Sequence, residues 1–337
     1  MKRILVLGGS GYVGSRLVAM LRQTRWATPV SASSRQRAPD ADNLRVDTRD
    51  PASLRAALNG IDAVVNCVAG NAQAISEGAR LLAQACSAAG CEHIVHLSTM
   101  SVYGALEGRV TEEAPLDPGL GWYGRAKVEA ERHVVSFAQS GGGTAVILRP
   151  GCVWGPGSEL WVGRIARLLR AGRLGDLGAA GDGWSNLVHV DDVCSAIVAA
   201  LRSSRPSGQL LTYNLSAPDS PRWNDYFVDL ALAIGATPVR RLSARRLRLD
   251  AMLAGPPLKI AQMALGKAGL PTHALPDPLP PGLLGLWERQ LLLDSRSAQR
   301  DLDLRWTPYA AALQQCAAWF HEGEQPRKLA GPAPARQ

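Results

Sequence analysis

The sequence predicts an α/β fold: a doubly wound parallel sheet with helices on both faces, followed by a smaller, mostly helical C-terminal domain. Three observations predict it. Through the first 150 of 337 residues, short apolar runs alternate with amphipathic stretches of helical period, the pattern of βαβ units joined by right-handed crossovers. Runs such as Ala63-Val64-Val65 are apolar on both sides, as strands covered by helices on each face must be. The first run, residues 4–7, breaks directly into Gly8-Gly9-Ser10-Gly11-Tyr12-Val13-Gly14 and then into a helical pattern carried by Val13, Leu17, Val18 and Leu21.

Taken in order, the strand-like runs are residues 4–7, 29–32, 44–46, 63–68, 94–97 and 145–148. After Pro150 the alternation weakens. Gly and Pro gather at Gly155-Pro156-Gly157 and in residues 172–183 and 271–285, and strand-like runs return only at 187–190 and 211–215. The expected division is residues 1–155 plus 186–216 for the sheet domain and 156–185 plus 217–322 for the second. A flexible tail, 323–337, carries Gly331-Pro332-Ala333-Pro334.

Composition narrows the class. Hydrophobic residues make up 46%, yet no apolar run approaches the roughly 18 residues of a membrane span. Residues 249–270 come nearest and contain Asp250, Pro256, Pro257, Lys259 and Lys267. The chain enters a strand at once, so no secretory signal is expected. The six cysteines show no metal-ligand spacing, which predicts no metal and fits reduced thiols in a cytoplasm. A net charge of +8 admits an anionic ligand, an acidic membrane surface or nucleic acid, but the charge is too loosely clustered to favour the last. Its densest part, Arg240, Arg241, Arg245, Arg246 and Arg248, precedes an apolar stretch and reads either as a solvated helix face or as a basic amphipathic helix at a membrane surface or over a pocket.

The glycine segment has a chemistry. Backbone N–H groups bared at a helix N-terminus, with the dipole's partial positive charge, favour a pyrophosphate; Gly8 makes the turn, Gly11 admits the phosphates and Gly14 lets helix approach strand. The spacing is GxxGxxG, which alone is also compatible with an ordinary loop. After the second strand, where a carboxylate commonly holds the adenosine ribose, the chain reads Ser31-Ala32-Ser33-Ser34-Arg35-Gln36-Arg37. Hydroxyls and guanidiniums without an acid suit a 2′-phosphate, so NADP(H) is expected, with NAD possible.

Ser98-Thr99 follow the fifth strand at the carboxyl edge of the sheet, where open α/β folds bind ligands. Tyr123 and Lys127 lie four apart on one helix face. An ammonium near a phenol, helped by the positive charge of an oxidised nicotinamide, lowers its pKa and makes Tyr123 a usable general acid or base, with Thr99 holding the substrate oxygen and Lys127 also placed to hold a ribose.

Together these residues resemble the extended short-chain dehydrogenase/reductase family of the NAD-dependent epimerase/dehydratase type, over nearly the whole chain. The matching segments are Gly8-x-x-Gly11-x-x-Gly14, residues 97–104 with Ser98-Thr99, Tyr123-Gly124-Arg125-Ala126-Lys127, residues 148–157, residues 187–193, and residues 302–308 with Trp319. The resemblance implies a Rossmann domain with a small substrate domain, hydride transfer at a nicotinamide, and Thr99, Tyr123 and Lys127 as catalytic residues. The implied cofactor contacts are Gly8, Ser10, Gly11, Tyr12, Val13, Gly14, Ser34, Arg35, Asp47 (near adenine), Val68, Ala69, Tyr123, Lys127, Pro150 and Val153. It also implies a small-molecule substrate and a possible homodimer.

The departures bear on substrate. Cys152 stands where sugar-nucleotide members carry Asn, and Ser185-Asn186 where they carry Arg-Asp; Met100-Ser101 follow Thr99 where dehydratases carry Asp-Glu. Dehydration is therefore not expected. The leading expectation is NADP(H)-dependent interconversion of a ketone and a secondary alcohol; the alternatives are a sugar epimerase and a non-catalytic NADP-sensing or membrane-associated protein. Arg164, Arg167, Arg170 and Arg173 read as a solvated helix face or a substitute anion site. His189 and Cys152 read as structural, and Asp191-Asp192 as helix-capping carboxylates. The substrate pocket is expected after Ser158, with residues 254–287 lining or covering it, and Trp154, Trp161 and Trp184 as candidates for stacking.

Overall fold

A computed structural model describes residues 1–35, 42–117, 119, 121–203, 208–268 and 275–324. The expected alternation is present in order. β1 (Lys2–Leu7), α1 (Tyr12–Arg22), β2 (Ala27–Ser33), β3 (Asn43–Arg45), α2 (Pro51–Ala57), β4 (Ala63–Asn66), α3 (Ala72–Ala89) and β5 (His93–Leu97) come first. There follow β6 (Gly108–Val110), α4 (Gly121–Gln139), β7 (Thr144–Pro150), β8 (Cys152–Trp154), α5 (Arg164–Arg170), β9 (Leu187–His189), α6 (Val190–Arg202) and β10 (Leu210–Leu215). The remainder is α7 (Trp223–Ala233), α8 (Ala244–Leu249), α9 (Gly255–Lys267), α10 (Pro281–Trp287), β11 (Leu291–Leu293), α11 (Arg296–Asp301) and α12 (Tyr309–Glu324).

Seven strands form one parallel sheet in the order β10-β7-β5-β4-β1-β2-β3. The order reverses between β1 and β4, the switch point at which such sheets open a crevice for ligand. Pairing sets Leu7 level with Ala32 and Asn66, and Asn66 level with His96, so the loops after β1, β2, β4 and β5 leave from one edge. The two-residue period of a strand divides the core: Ile4 and Val6 pack with Leu17, Val193 and Ile197 on one face, Leu5 and Leu7 with Leu54, Leu82 and Ile94 on the other. Ala298, Leu302 and Leu304, far along the chain, join the first of these clusters.

Three short strands escaped the sequence reading. β8 pairs with β9, and β6 pairs with β11, which corrects the expectation that strands after Pro150 occur only at 187–190 and 211–215. A three-residue strand has no periodicity to detect, and the β6–β11 partners lie far apart in sequence. The helical C-terminal part is organised around Trp154, Trp223, Tyr226, Phe227 and Trp287, whose rings meet at 5.1–6.4 Å. The helix α12 continues through Gly323 to Glu324, so the expected tail does not start at 323; residues 325–337 lie outside the described residues.

Candidate active site

At the carboxyl edge of the sheet lies a cleft of about 1080 Å³. The glycine segment forms its floor at the switch point. Gly8 has φ +79°, and a Cβ there would sit 2.8 Å from the Cys67 carbonyl oxygen; at Gly14 it would sit 2.2 Å from the Gly8 carbonyl. Both positions therefore exclude a side chain. Gly11 is the N-cap of α1, with no side-chain cap and no acid in the first turn, and Ser15 is the first residue whose N–H bonds back to Gly11. The earlier N–H groups have no helical partner, an anion-ready arrangement that fits the pyrophosphate of a dinucleotide.

Ser10, Tyr12 and Val13 complete this floor, and Ser33, Ser34 and Arg35 from the end of β2 form the next wall. Ser34 and Arg35 are exposed, and the hydroxyl of Ser33 is buried with no partner among the described residues. Gln36 and Arg37, read with them from the sequence, lie outside the described residues. Asp47 lines the same end. Its carboxylate accepts from Arg49 Nη2 at 2.9 Å and Nε at 3.1 Å, and that guanidinium holds it below the usual carboxylate range. Arg49 itself lines the cleft beside Arg35; it sits in a coil after β3, where no sequence pattern marked it.

Further along, Val68 and Ala69 leave β4, with the Val68 N–H donating to Asn66 Oδ1 at 3.1 Å. Thr99, Tyr123, Pro150 and Val153 line the cleft beyond them. All the residues expected from sequence to hold cofactor or catalyse are thus on one cavity wall except Lys127. That side chain lies buried behind the wall, its Nζ donating to Leu97 O at 2.7 Å and Val68 O at 3.3 Å. Burial lowers its pKa to about 8, with Cys67 and Glu131 pulling the other way.

This placement corrects one expectation. The ammonium does not depress Tyr123 in the protein alone: burial raises the phenol above its ordinary value of 10.0, and only the hydrogen bond with Thr99 opposes that. Side chains four apart on a helix are neighbours in register, but here the backbone carbonyls at the ends of β4 and β5 capture the ammonium.

The loop bearing Thr99 and the helix bearing Tyr123 are locked together. Thr99 Oγ1 accepts from Ser101 N at 3.2 Å, capping a single turn from Met100 to Tyr103. Gly124 lets α4 approach that turn, since a Cβ there would stand 2.9 Å from Ser101 O. Below, Ser98 Oγ donates to Glu131, which also receives Arg149 through Nε at 3.0 Å and Nη2 at 2.7 Å. Arg149 donates to Tyr103 Oη at 2.9 Å, and that hydroxyl donates to Asn214 at 2.6 Å. Satisfied buried networks of this kind fix a unique geometry. Ser98, Glu131 and Arg149 in this supporting role carry no local sequence signal.

The outer end is apolar. Met100, Leu160, Trp161, Leu283 and Leu286 make up most of it, together with the buried Cys152, whose thiol is pushed up by burial; Ser158 and Glu159 add the polar groups there. Of the three tryptophans singled out, only Trp161 lines the cleft. Trp154 is stacked on Tyr309 in the aromatic cluster, and Trp184 lies under the Arg222 guanidinium. Among the described residues of 254–287, only Leu283 and Leu286 of α10, near the C-terminal end, line the cleft; residues 269–274 lie outside the described residues. Arg289 stands behind Cys152, its charge falling on that thiol, half-buried and without an acidic partner among the described residues.

The remaining candidates are structural. Ser185 hydrogen-bonds Pro221 O at 2.6 Å, and Asn186 ties down β11 through Leu291 O at 2.8 Å and Leu293 N at 2.9 Å. Of the arginines 164, 167, 170 and 173, Arg167 and Arg170 are exposed, Arg167 pairing with Glu159 and Asp277 and Arg170 lying over Phe320, whereas Arg173 pairs with Asp250 and the Nε of Arg164 is buried with no partner among the described residues. His189, not an aspartate, caps α6; Asp191 instead pairs with Arg16, and Asp192 accepts from Thr307 N at 2.9 Å and Oγ1 at 2.7 Å. Among the described residues no cluster of His, Cys, Asp or Glu could hold a metal ion.

Residues 4–216 match the NAD dependent epimerase/dehydratase family. The chain is similar to the 3-diazoavenalumate denitrifying reductase of a Streptomyces species, 32% identical over 269 residues that cover 72% of this chain and 84% of the relative. It is similar also to the 2-alkyl-3-oxoalkanoate reductase of Stenotrophomonas maltophilia (strain K279a), 29% identical over 257 residues covering 69% and 76%. Among solved structures, the NAD complex of UDP-glucose 4-epimerase from Thermus thermophilus shares the fold, with TM-score 0.69 over 95% of this chain and 99% of that one at 21% identity.

Proposed function

This chain belongs to the NAD-dependent epimerase/dehydratase family, and we propose that within it the chain is an NADP(H)-dependent oxidoreductase interconverting a ketone and a secondary alcohol. The observation that carries this reading is the meeting of Thr99 and Tyr123 on one cleft wall, beyond the glycine floor and facing an apolar outer end. A bound nicotinamide supplies the hydride in reduction and accepts it in oxidation. Tyr123 gives its phenolic proton to the carbonyl oxygen as the carbon is reduced, and solvent restores it. Because burial raises Tyr123, the donor is loaded at neutral pH, which suits reduction. Thr99 Oγ1 donates to the same oxygen. Lys127 braces the segment after β4 and the end of β5 behind Tyr123.

Arg35 and Arg49, with Ser33 and Ser34, support the 2′-phosphate and hence NADP(H). The apolar side chains at the outer end support a ketone that carries an alkyl chain, and the name of the Stenotrophomonas relative suggests a 3-oxo acid. The test is a panel of alkyl 3-oxo acids with the purified protein and NADPH. The expected outcome is NADPH oxidised in proportion to ketone lost, with NADH much poorer. Turnover of a sugar without net use of added cofactor would instead mark an epimerase.

A further inference from the structure

Residues 244–267 form one helical run, α8 and α9 joined by a wider turn at Asp250–Ala254, and its polarity is inverted. Past Leu247, which is buried, small residues face the protein. Ala251 is buried, and a Cβ on Gly255 would stand 2.9 Å from Leu279 O, so the helix backbone packs directly on that segment. Large apolar side chains face outward: Leu249, Met252, Leu253, Ile260 and Met263 are 50%, 68%, 70%, 68% and 56% exposed. With exposed Pro256 they follow spacings of three and four residues, one stripe along the helix. Five of the nine exposed large apolar side chains among the described residues lie in these 15 positions. A patch of this kind marks an interaction surface.

The charges beside the stripe select its occupant. Arg240, Arg241, Arg245, Arg246, Arg248 and Lys259 are exposed; Arg241 and Arg248 stand 3.8 and 3.9 Å from Asp176 and Glu288, and the sole acid from 240 to 268, Asp250, is taken by Arg173 at 2.7 Å. A second copy laid on this face would set cations against cations. An anionic lipid surface meets both features, headgroups against the arginines and acyl chains against the stripe. No described helix is long and apolar enough to cross a membrane, so the contact lies along the surface.

We propose that the 244–267 helical run docks this chain peripherally on an anionic bilayer. The inference is independent of the chemistry proposed above. α8 packs against α10 at Leu284 and Glu288, and α10 presents Leu283 and Leu286 to the cleft, so docking sets the apolar end of the cleft near the lipid.

The test is co-sedimentation of the full chain with vesicles of equimolar phosphatidylglycerol and phosphatidylcholine, or of phosphatidylcholine alone. Binding to the anionic vesicles that weakens with salt is expected. R245E/R246E should lose at least about twenty-fivefold, since each basic residue near such a surface contributes about fivefold. L253Q/I260Q should also release the protein, and both variants should keep the wild-type melting temperature and NADPH binding. As a measure that needs no disruptive change, Met252→Cys bearing a polarity-sensitive dye should shift to the blue on anionic vesicles only. The proposal is overturned by absence of binding at low salt, by variants that bind like wild type, by an unshifted dye, or by a dimer that L253Q/I260Q converts to monomer.

Discussion

The two ends of the cleft are built differently. At the glycine end, backbone lies against backbone: Gly8 is hard against Cys67, Gly14 against Gly8, and a methyl group at either would overlap a carbonyl. At the outer end, Leu160, Trp161, Leu283 and Leu286 come from separate segments of the C-terminal part and meet only through side chains. A pyrophosphate offers charge of fixed shape, so the chain that binds it is constrained atom by atom. An apolar substrate asks only for surface. Under the proposed function the first end would carry the common chemistry and the second the choice of substrate, and perturbing each should separate kcat from cofactor affinity and KM.

The largest effect is expected between the two ends. Tyr123→Phe keeps the ring and removes the proton; reduction should fall by about 10²–10⁴-fold while NADPH binding, read by fluorescence titration, is unchanged. Retained turnover would detach the chemistry from the cleft. Next, Gly14→Ala places a methyl 2.2 Å from the Gly8 carbonyl. Distorting the cradle should weaken NADPH binding by about a hundredfold, equivalent to ~3 kcal/mol, and an alanine variant with normal affinity would break the contrast drawn here.

At the rim of the same end, Arg35→Ala should cost NADPH about 1.5–3 kcal/mol, the worth of a hydrogen bond to a charged group, and leave NADH untouched. Isothermal titration with the two cofactors measures the ratio. At the outer end, Leu286→Ala should raise KM for a chain-bearing ketone by up to about tenfold, a few methylenes of lost contact, with kcat and cofactor affinity preserved. The smallest effect is a flat profile. Since burial raises Tyr123 above its ordinary value, the acid form persists and the reduction rate should stay level from about pH 6 until Lys127 loses its proton near pH 8. Oxidation of the alcohol needs the phenolate and should climb through the same range.

How much of this was legible depended on whether the signal was local. The strand-to-glycine-to-helix passage at residues 4–14 and the Tyr123/Lys127 spacing are contained in a few consecutive residues, and the structure brings the glycine segment and Tyr123 to one cleft with Lys127 buried behind it. Arg49 was not legible, because its importance comes from the wall it reaches and not from its neighbours. The arginines at 167 and 173 looked solvated since their partners, Asp277 and Asp250, stand about a hundred residues away. The four-residue spacing did place Lys127 on the right side of α4, but it could not reveal that Leu97 O and Val68 O compete for the ammonium. β6 and β11 are similar: each is three residues long, and neither is a strand without the other.

The central claim is that hydride leaves NADPH for a ketone in this cleft with Tyr123 supplying the proton. Reduction of an alkyl 3-oxo acid with NADPH deuterated at the transferring position tests it most directly. Deuterium on the carbinol carbon of the product, one per cofactor oxidised and lost in Tyr123→Phe, is the expected result. Product that forms without the label, or without consumption of NADPH, would contradict it.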